Sequence, residues 1–209
     1  ANQGVNVVLA AKTSREIEIV ATKVREIGCQ ALTVPTDVSK KEQVEALATE
    51  TYQSFGRVDI LVNNAGVAIH NPIPKIELSD WKATLDVNLT GVFLCTQAVF
   101  EKMCLQKSGH IVNISSTAGL KGYAGFSTYS ASKFGVIGLT QSTYAEGKPH
   151  GVKAYAVCPG PTDTKMRRDN HDDLSKLSQP EDIADLIIFL LTQPKSAHIL
   201  ETVITTPLM

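Results

Sequence analysis

The feature that most constrains the fold is a strict alternation of short apolar runs with longer stretches of helical period. Val5–Ala10, Ala31–Val34, Val58–Val62, His110–Ile114, Val152–Val157 and the weaker Thr202–Ile204 read as strands. Predominantly apolar rather than strictly alternating with polar residues, the strong ones suit strands covered on both faces. Between them lie helix signals. Thr13 with Glu16, and Ser39 with Glu42, have capping-box spacing, and Gly28 and Gly56 supply stops. Ser79 opens a long stretch through Trp81, Leu85, Asn88, Phe93 and Val99, and another helix runs from about Tyr129 to Glu146. Ser178, Pro180 and Glu181 start a last helix through Leu191. This order predicts an α/β fold, a doubly wound parallel sheet of Rossmann type in three αβα layers, with ligands at the carboxyl ends of the strands.

Composition narrows the function classes. With a net charge of −1 over 209 residues, nothing favours nucleic acid or an anionic membrane surface. No apolar run reaches the roughly 20 residues of a bilayer span. Cys29, Cys95, Cys104 and Cys158 are scattered, without metal spacing, and read as reduced thiols. The expected compartment is therefore the cytoplasm, or an organelle matrix in a eukaryote. Residues 1–209 read as one domain, and no metal site is expected.

Six groups carry chemistry. Tyr129-Ser130-Ala131-Ser132-Lys133 sets a phenol and an ammonium one turn apart on a helix face. A tyrosine titrates near ~10, and a neighbouring cation favours its phenolate. Ser115 and Ser116 follow the fourth strand, thirteen residues before Tyr129 in the case of Ser116, across a loop containing Gly119, Gly122 and Gly125. Folding back, that loop can bring the Ser116 hydroxyl to a carbonyl that Tyr129 protonates; Ser115 reads as a turn or cap residue. Asn63-Asn64-Ala65-Gly66 forms a small-residue turn after a buried strand, where backbone can approach a ligand. Asn88 lies in an apolar stretch, so its amide either ties the helix to a neighbouring backbone or holds a proton-relay water. Pro159-Gly160-Pro161-Thr162 is a rigid turn at the end of the fifth strand, and Asp37 reads as an adenine contact or as an Asx-turn residue.

Together these motifs resemble the classical short-chain dehydrogenase/reductase family from Gly4 to about Leu191. The resemblance implies a catalytic tetrad of Asn88, Ser116, Tyr129 and Lys133. It implies cofactor contacts from Asp37, Val38, Asn64, Ala65, Gly66, Pro159, Gly160 and Thr162, with Tyr129 and Lys133 at the nicotinamide ribose. The family's Gly-rich phosphate loop, Thr-Gly-x-x-x-Gly-x-Gly, does not occur in the 209 residues. It and the family's first strand are expected upstream, in a strand-turn-helix unit of roughly 25–30 residues. Val5–Ala10 and Val58–Val62 are accordingly expected not to pair with each other. The ending Thr205-Thr206-Pro207-Leu208-Met209 departs from the glycine-rich tail of many members.

Where NAD-preferring members carry an acid, this sequence has Ala10-Ala11-Lys12-Thr13. A lysine with a neighbouring hydroxyl suits a phosphomonoester, so Lys12 and Thr13 are expected to favour NADP(H) and the reductive direction. The compact length resembles 3-oxoacyl-[acyl-carrier-protein] reductases. Lys165, Arg167 and Arg168, offset by Asp169, Asp172 and Asp173, are candidates to meet an acidic acyl carrier protein or a phosphopantetheine arm, or else form a solvated loop. The alternatives are a reductase of another ketone, quinone or sugar, and a non-catalytic dinucleotide-binding regulator. A homodimer or homotetramer is implied, through the helices that contain Phe93, Val99, Phe134 and Ile137.

Overall fold

The structure is a computed structural model and describes residues 1–164, 166, 177–194 and 196–206. Six strands occur among them: β1 (Val7–Ala11), β2 (Ala31–Pro35), β3 (Ile60–Asn63), β4 (Gly109–Ile114), β5 (Val152–Pro159) and β6 (Glu201–Ile204). Every pairing is parallel. β1 pairs with β2 in one sheet, and β3-β4-β5-β6 form a second in that order. β1 and β3 do not pair with each other, as the sequence reading required.

The helices are α1 (Ser14–Glu26), α2 (Lys41–Phe55), α3 (Leu78–Leu85), α4 (Gly91–Gln106), α5 (Ser127–Gly147) and α6 (Pro180–Leu191). α4, α5 and α6 cover the two faces of the four-stranded sheet, whose successive side chains point to opposite sides, and α1 packs on β1 and β2. Ile111, Val152 and Ala154 pack with Val99 and Met103 of α4, while Val112, Tyr155 and Val157 pack with Leu190 of α6. Ile137 of α5 joins the first side over Ala156 and Cys158. Val99 and Ile137 are therefore core residues, whereas Phe93 and Phe134 are exposed.

The helix starts differ from the sequence reading. Thr13 is the N-cap of α1 but makes no side-chain cap bond, so its box with Glu16 does not form. α2 is capped by Lys40. Ser39 is drawn instead into a turn on the Asp37 carboxylate. For α6 the box is made by Gln179 and Asp182. The stretch Leu78–Gln106 corrects the reading on apolar length: at 29 residues it is long and apolar enough to cross a bilayer by length and composition. Within the fold, its α4 portion packs on β3, β4, α2 and α5. Lys165, Arg167, Arg168, Asp169, Asp172 and Asp173 lie outside the described residues, as do Pro207–Met209.

Candidate active site

The carboxyl end of β3 is locked from inside. Buried Asn63 donates to Asn113 Oδ1 at 2.8 Å and to Thr96 Oγ1 at 3.3 Å. Asn113 in turn donates to Thr140 Oγ1 on α5 at 2.9 Å. β3, β4, α4 and α5 are thereby tied together by amides that would be costly to bury unpaired.

Asn88 resolves in favour of the backbone tie. It is fully buried on a single π-helical turn, Asp86–Thr90, between α3 and α4. Such turns often occur at functional sites. Its Oδ1 accepts the Val67 N–H at 2.8 Å and its Nδ2 donates to the Val67 carbonyl at 2.8 Å. The same Nδ2 donates to Ser132 Oγ at 3.1 Å, and Ser132 donates to the Tyr129 carbonyl at 2.6 Å. One amide thus holds the turn after β3 against the first turns of α5.

Lys133, only 4% exposed, donates from Nζ to the Ile114 carbonyl at 2.8 Å. Nζ also stands 5.6 Å from the centre of the half-buried Tyr129 ring. Burial lowers its pKa to about 8, because an ammonium loses hydration there. Gly66 closes this group: a Cβ there would lie 3.4 Å from Asn88 Oδ1 and 3.7 Å from Lys133 Nζ. Asn64 and Ala65, just before it, are exposed.

Ser116, not Ser115, is the cap residue. Its Oγ accepts the Ala118 N–H at 3.1 Å at the head of the 3-10 turn Thr117–Gly119. It also donates to the Pro159 carbonyl at 3.5 Å. Ser115 has a different task, donating to the Lys133 carbonyl at 3.0 Å and so tying α5 to the end of β4. Gly119 permits that approach, since a Cβ there would lie 2.5 Å from Ser115 Oγ and 2.8 Å from the Lys133 carbonyl oxygen.

Beyond Pro159, the Gly160 N–H donates to the Ile204 carbonyl at 2.7 Å. The Thr162 hydroxyl donates to the Gly160 carbonyl at 3.1 Å. On the other side, Asp37 has both oxygens engaged. Oδ1 takes the Ser39 N–H and hydroxyl at 3.0 and 2.7 Å, and Oδ2 pairs with Lys12 Nζ at 2.9 Å. Burial pushes its pKa up, but the Ser39 bonds and the Lys12 ammonium outweigh that and leave it at about 2. Val38 packs under Gly91, where a Cβ would meet its methyl at 2.8 Å. That contact joins the Lys12–Asp37 group to the start of α4, close to Asn88.

A shallow apolar hollow of about 360 Å³, lined by Ile73, Ile76, Leu78, Trp81 and Ser127, opens near the start of α5. The segment before it is pinned there: His70 meets Phe126 edge-on at 4.8 Å, and Phe126 meets Tyr129 at 6.3 Å.

The family model for short chain dehydrogenase matches residues 1–175. A 3-oxoacyl-[acyl-carrier-protein] reductase of Synechocystis sp. is 40% identical over 200 residues, covering 92% of this chain and 81% of that protein. An uncharacterised oxidoreductase of Bacillus subtilis is 39% identical over 197 residues, covering 93% and 77%. Among solved structures, a gluconate 5-dehydrogenase from Burkholderia cenocepacia in complex with NADP and tartrate superposes with TM-score 0.90 at 28% identity, covering 98% of this chain and 86% of that one. A metagenomic short-chain oxidoreductase in complex with NADP gives 0.84 at 32%, covering 99% and 88%. With the family model spanning most of the chain and relatives matched along nearly all of it, the chain belongs to the short chain dehydrogenase family.

Proposed function

We propose that the protein is an NADP(H)-dependent reductase that converts a carbonyl to an alcohol, with Tyr129 as the general acid/base. The observation that carries this reading is the buried Lys133 ammonium 5.6 Å from the Tyr129 ring, its helix wired to Asn88 through Ser132. A cation so placed favours phenolate and makes the phenolic proton easier to give up at neutral pH. A bound nicotinamide would supply the hydride, held by the residues described below. Ser116 hydrogen-bonds the substrate oxygen, Tyr129 delivers the proton to it, and Lys133 steadies the resulting phenolate. Asn88 acts as a positioning residue, holding the turn that includes Gly66.

The residues present fit a dinucleotide. At Gly66 a side chain would fill space bordered by Asn88 and Lys133, which leaves backbone open to a ligand there. Asn64, Ala65, Gly66 and Lys133 would hold the nicotinamide end, with Pro159, Gly160 and Thr162 opposite. Asp37, Val38, Lys12 and Thr13 would meet the adenosine end. The exposed Lys12 ammonium and the unused Thr13 hydroxyl suit a 2′-phosphate, and the two NADP-bound relatives agree with that choice.

For the substrate we favour a 3-oxoacyl thioester. The relative from Synechocystis supports it, and so does the apolar hollow lined by Ser127, two residues before Tyr129, which suits an acyl chain. A homodimer or homotetramer that covers Phe93 and Phe134 belongs to the same reading. The test uses the full chain with NADPH against acetoacetyl thioester, longer 3-oxoacyl thioesters, simple ketones and a keto-sugar acid. Tyr129→Phe is expected to lower kcat on any accepted substrate by about 10²–10⁴-fold while NADPH still binds. Turnover within tenfold of the unmodified protein would remove Tyr129 from its role. Preference for the keto-sugar acid would overturn the thioester reading alone.

A further inference from the structure

The Lys12–Asp37 ion pair joins an exposed cation to a carboxylate pinned by hydrogen bonds. The Lys12 side chain is 62% exposed and that of Asp37 21%. Asp37 is held on every side: Ser39 donates twice to Oδ1, and the Asp37 N–H donates to Gln43 Oε1 at 2.7 Å. Val38 beside it is wedged against Gly91. The carboxylate therefore cannot withdraw when a second anion approaches Lys12. Nor does it neutralise itself near pH 7, because its Ser39 and Lys12 neighbours hold its pKa at about 2.

We propose that Asp37 limits the discrimination between NADP(H) and NAD(H): it occupies the Lys12 ammonium, so that an arriving 2′-phosphate shares the cation with a fixed carboxylate. The proposal rests on the NADP(H) reading above. A phosphomonoester carries up to two negative charges, and Asp37 repels it across a few ångströms of partly screened solvent. Lys12 in turn divides its attraction between the two anions. The net selectivity is thus smaller than a lone lysine would give, and the protein retains measurable affinity for the unphosphorylated cofactor. Any contact that Asp37 makes to adenosine is common to both cofactors and cancels in their ratio.

The experiment measures direct binding of NADPH and NADH to the full chain, by calorimetric or fluorescence titration, and takes the ratio of dissociation constants. Asp37→Asn keeps an oxygen for Ser39 and removes the charge. It is expected to raise the NADH/NADPH ratio roughly three- to tenfold at low salt, mainly by tighter NADPH binding, and to raise it less at high salt. Lys12→Gln is expected to collapse the ratio, and Asp37→Asn on that background to recover part of it. An unchanged or lower ratio in Asp37→Asn, with its thermal midpoint preserved, overturns the proposal. If Asp37→Asn perturbs folding, Asp37→Ser is compared on the same ratio and read the same way. Stronger binding of NADH than NADPH by the unmodified chain would instead refute the NADP(H) reading. The shift caused by Asp37→Asn would still test whether the carboxylate opposes the phosphate.

Discussion

Ser116 holds two hydrogen bonds of unequal quality. The one it accepts from Ala118 at 3.1 Å fixes its rotamer, while the 3.5 Å contact to Pro159 is at the edge of what counts as a bond. Its proton is thus cheaply redirected to a substrate oxygen, and its position is set without the substrate. Ser116→Ala is expected to lower kcat by about 10²–10³-fold, as for the loss of one donor to a developing oxyanion. Loss of the cap should cost about 1 kcal/mol, a shift of roughly 2–4 °C in Tm. Parallel measurement of kcat and thermal midpoint separates the two. A fall in kcat no larger than the folding loss explains would make Ser116 a cap alone. Tyr129 and Lys133 were legible as a pair because an i, i+4 spacing on a helix settles their face by itself. Ser132 was passed over although it sits between them. Its partner Asn88 lies 44 residues away in sequence, and no local pattern encodes such a contact. The ties made by Ser115 and Asn63 escaped the sequence for the same reason, since their partners are 18 and 50 residues distant.

The π-helical turn shows how an element can serve a single side chain. An uninterrupted helix from Leu78 to Gln106 would carry Asn88 through in regular register. The widened turn at Asp86–Thr90 instead presents its amide to Val67. The N–H and carbonyl of Val67 depend on it and would both lose their partner on truncation, while the Ser132 hydroxyl would keep only its bond to the Tyr129 carbonyl. Asn88→Ala is expected to destabilise the protein by about 2–4 kcal/mol, read from urea unfolding. It should also weaken turnover, because the loop after β3 loses its anchor to α5. A change below 0.5 kcal/mol would mean the loop holds itself. Strand order and helix order were legible in the sequence, because hydrophobic period survives small errors in boundary. Helix starts were less so. Thr13 and Ser39 both have cap chemistry, yet the first makes no cap bond and the second is claimed by the Asp37 carboxylate. A side chain with two available partners is not assigned by spacing alone.

At the scale of the whole molecule, chemistry and one titrating cluster sit at opposite ends of the parallel strands. Ser116 follows the carboxyl end of β4, whereas His110 lies in the register Ile60–His110–Lys153 near the amino ends. There His110 Nδ1 is 2.9 Å from the Tyr155 hydroxyl, and His198 stacks on Tyr144 at 3.8 Å with Tyr155 at 4.9 Å. Nothing in the sequence announced this cluster, because its members come from β4, α5, β5 and the segment before β6. Burial lowers the pKa of both histidines, and the nearby Lys153 adds to the shift, while Asp59 opposes it at His110. A lowered histidine pKa means that the unfolded chain binds protons first. The stabilisation is therefore full above the unfolded value near ~6.5 and is lost as pH falls below it toward the folded values. The thermal midpoint is expected to drop as pH falls below about 6.5, with stability lost at up to roughly 1.4 kcal/mol per pH unit for each histidine. Asp37 does not add to that slope, since it does not protonate until about pH 2. His198→Phe keeps the ring between Tyr144 and Tyr155 but cannot titrate, so it should flatten the slope and leave turnover at pH 7.5 unchanged, since the cluster does not touch Tyr129 or Lys133. A midpoint independent of pH in this range, or an equal slope in His198→Phe, would show that His198 does not carry the acid sensitivity of the fold.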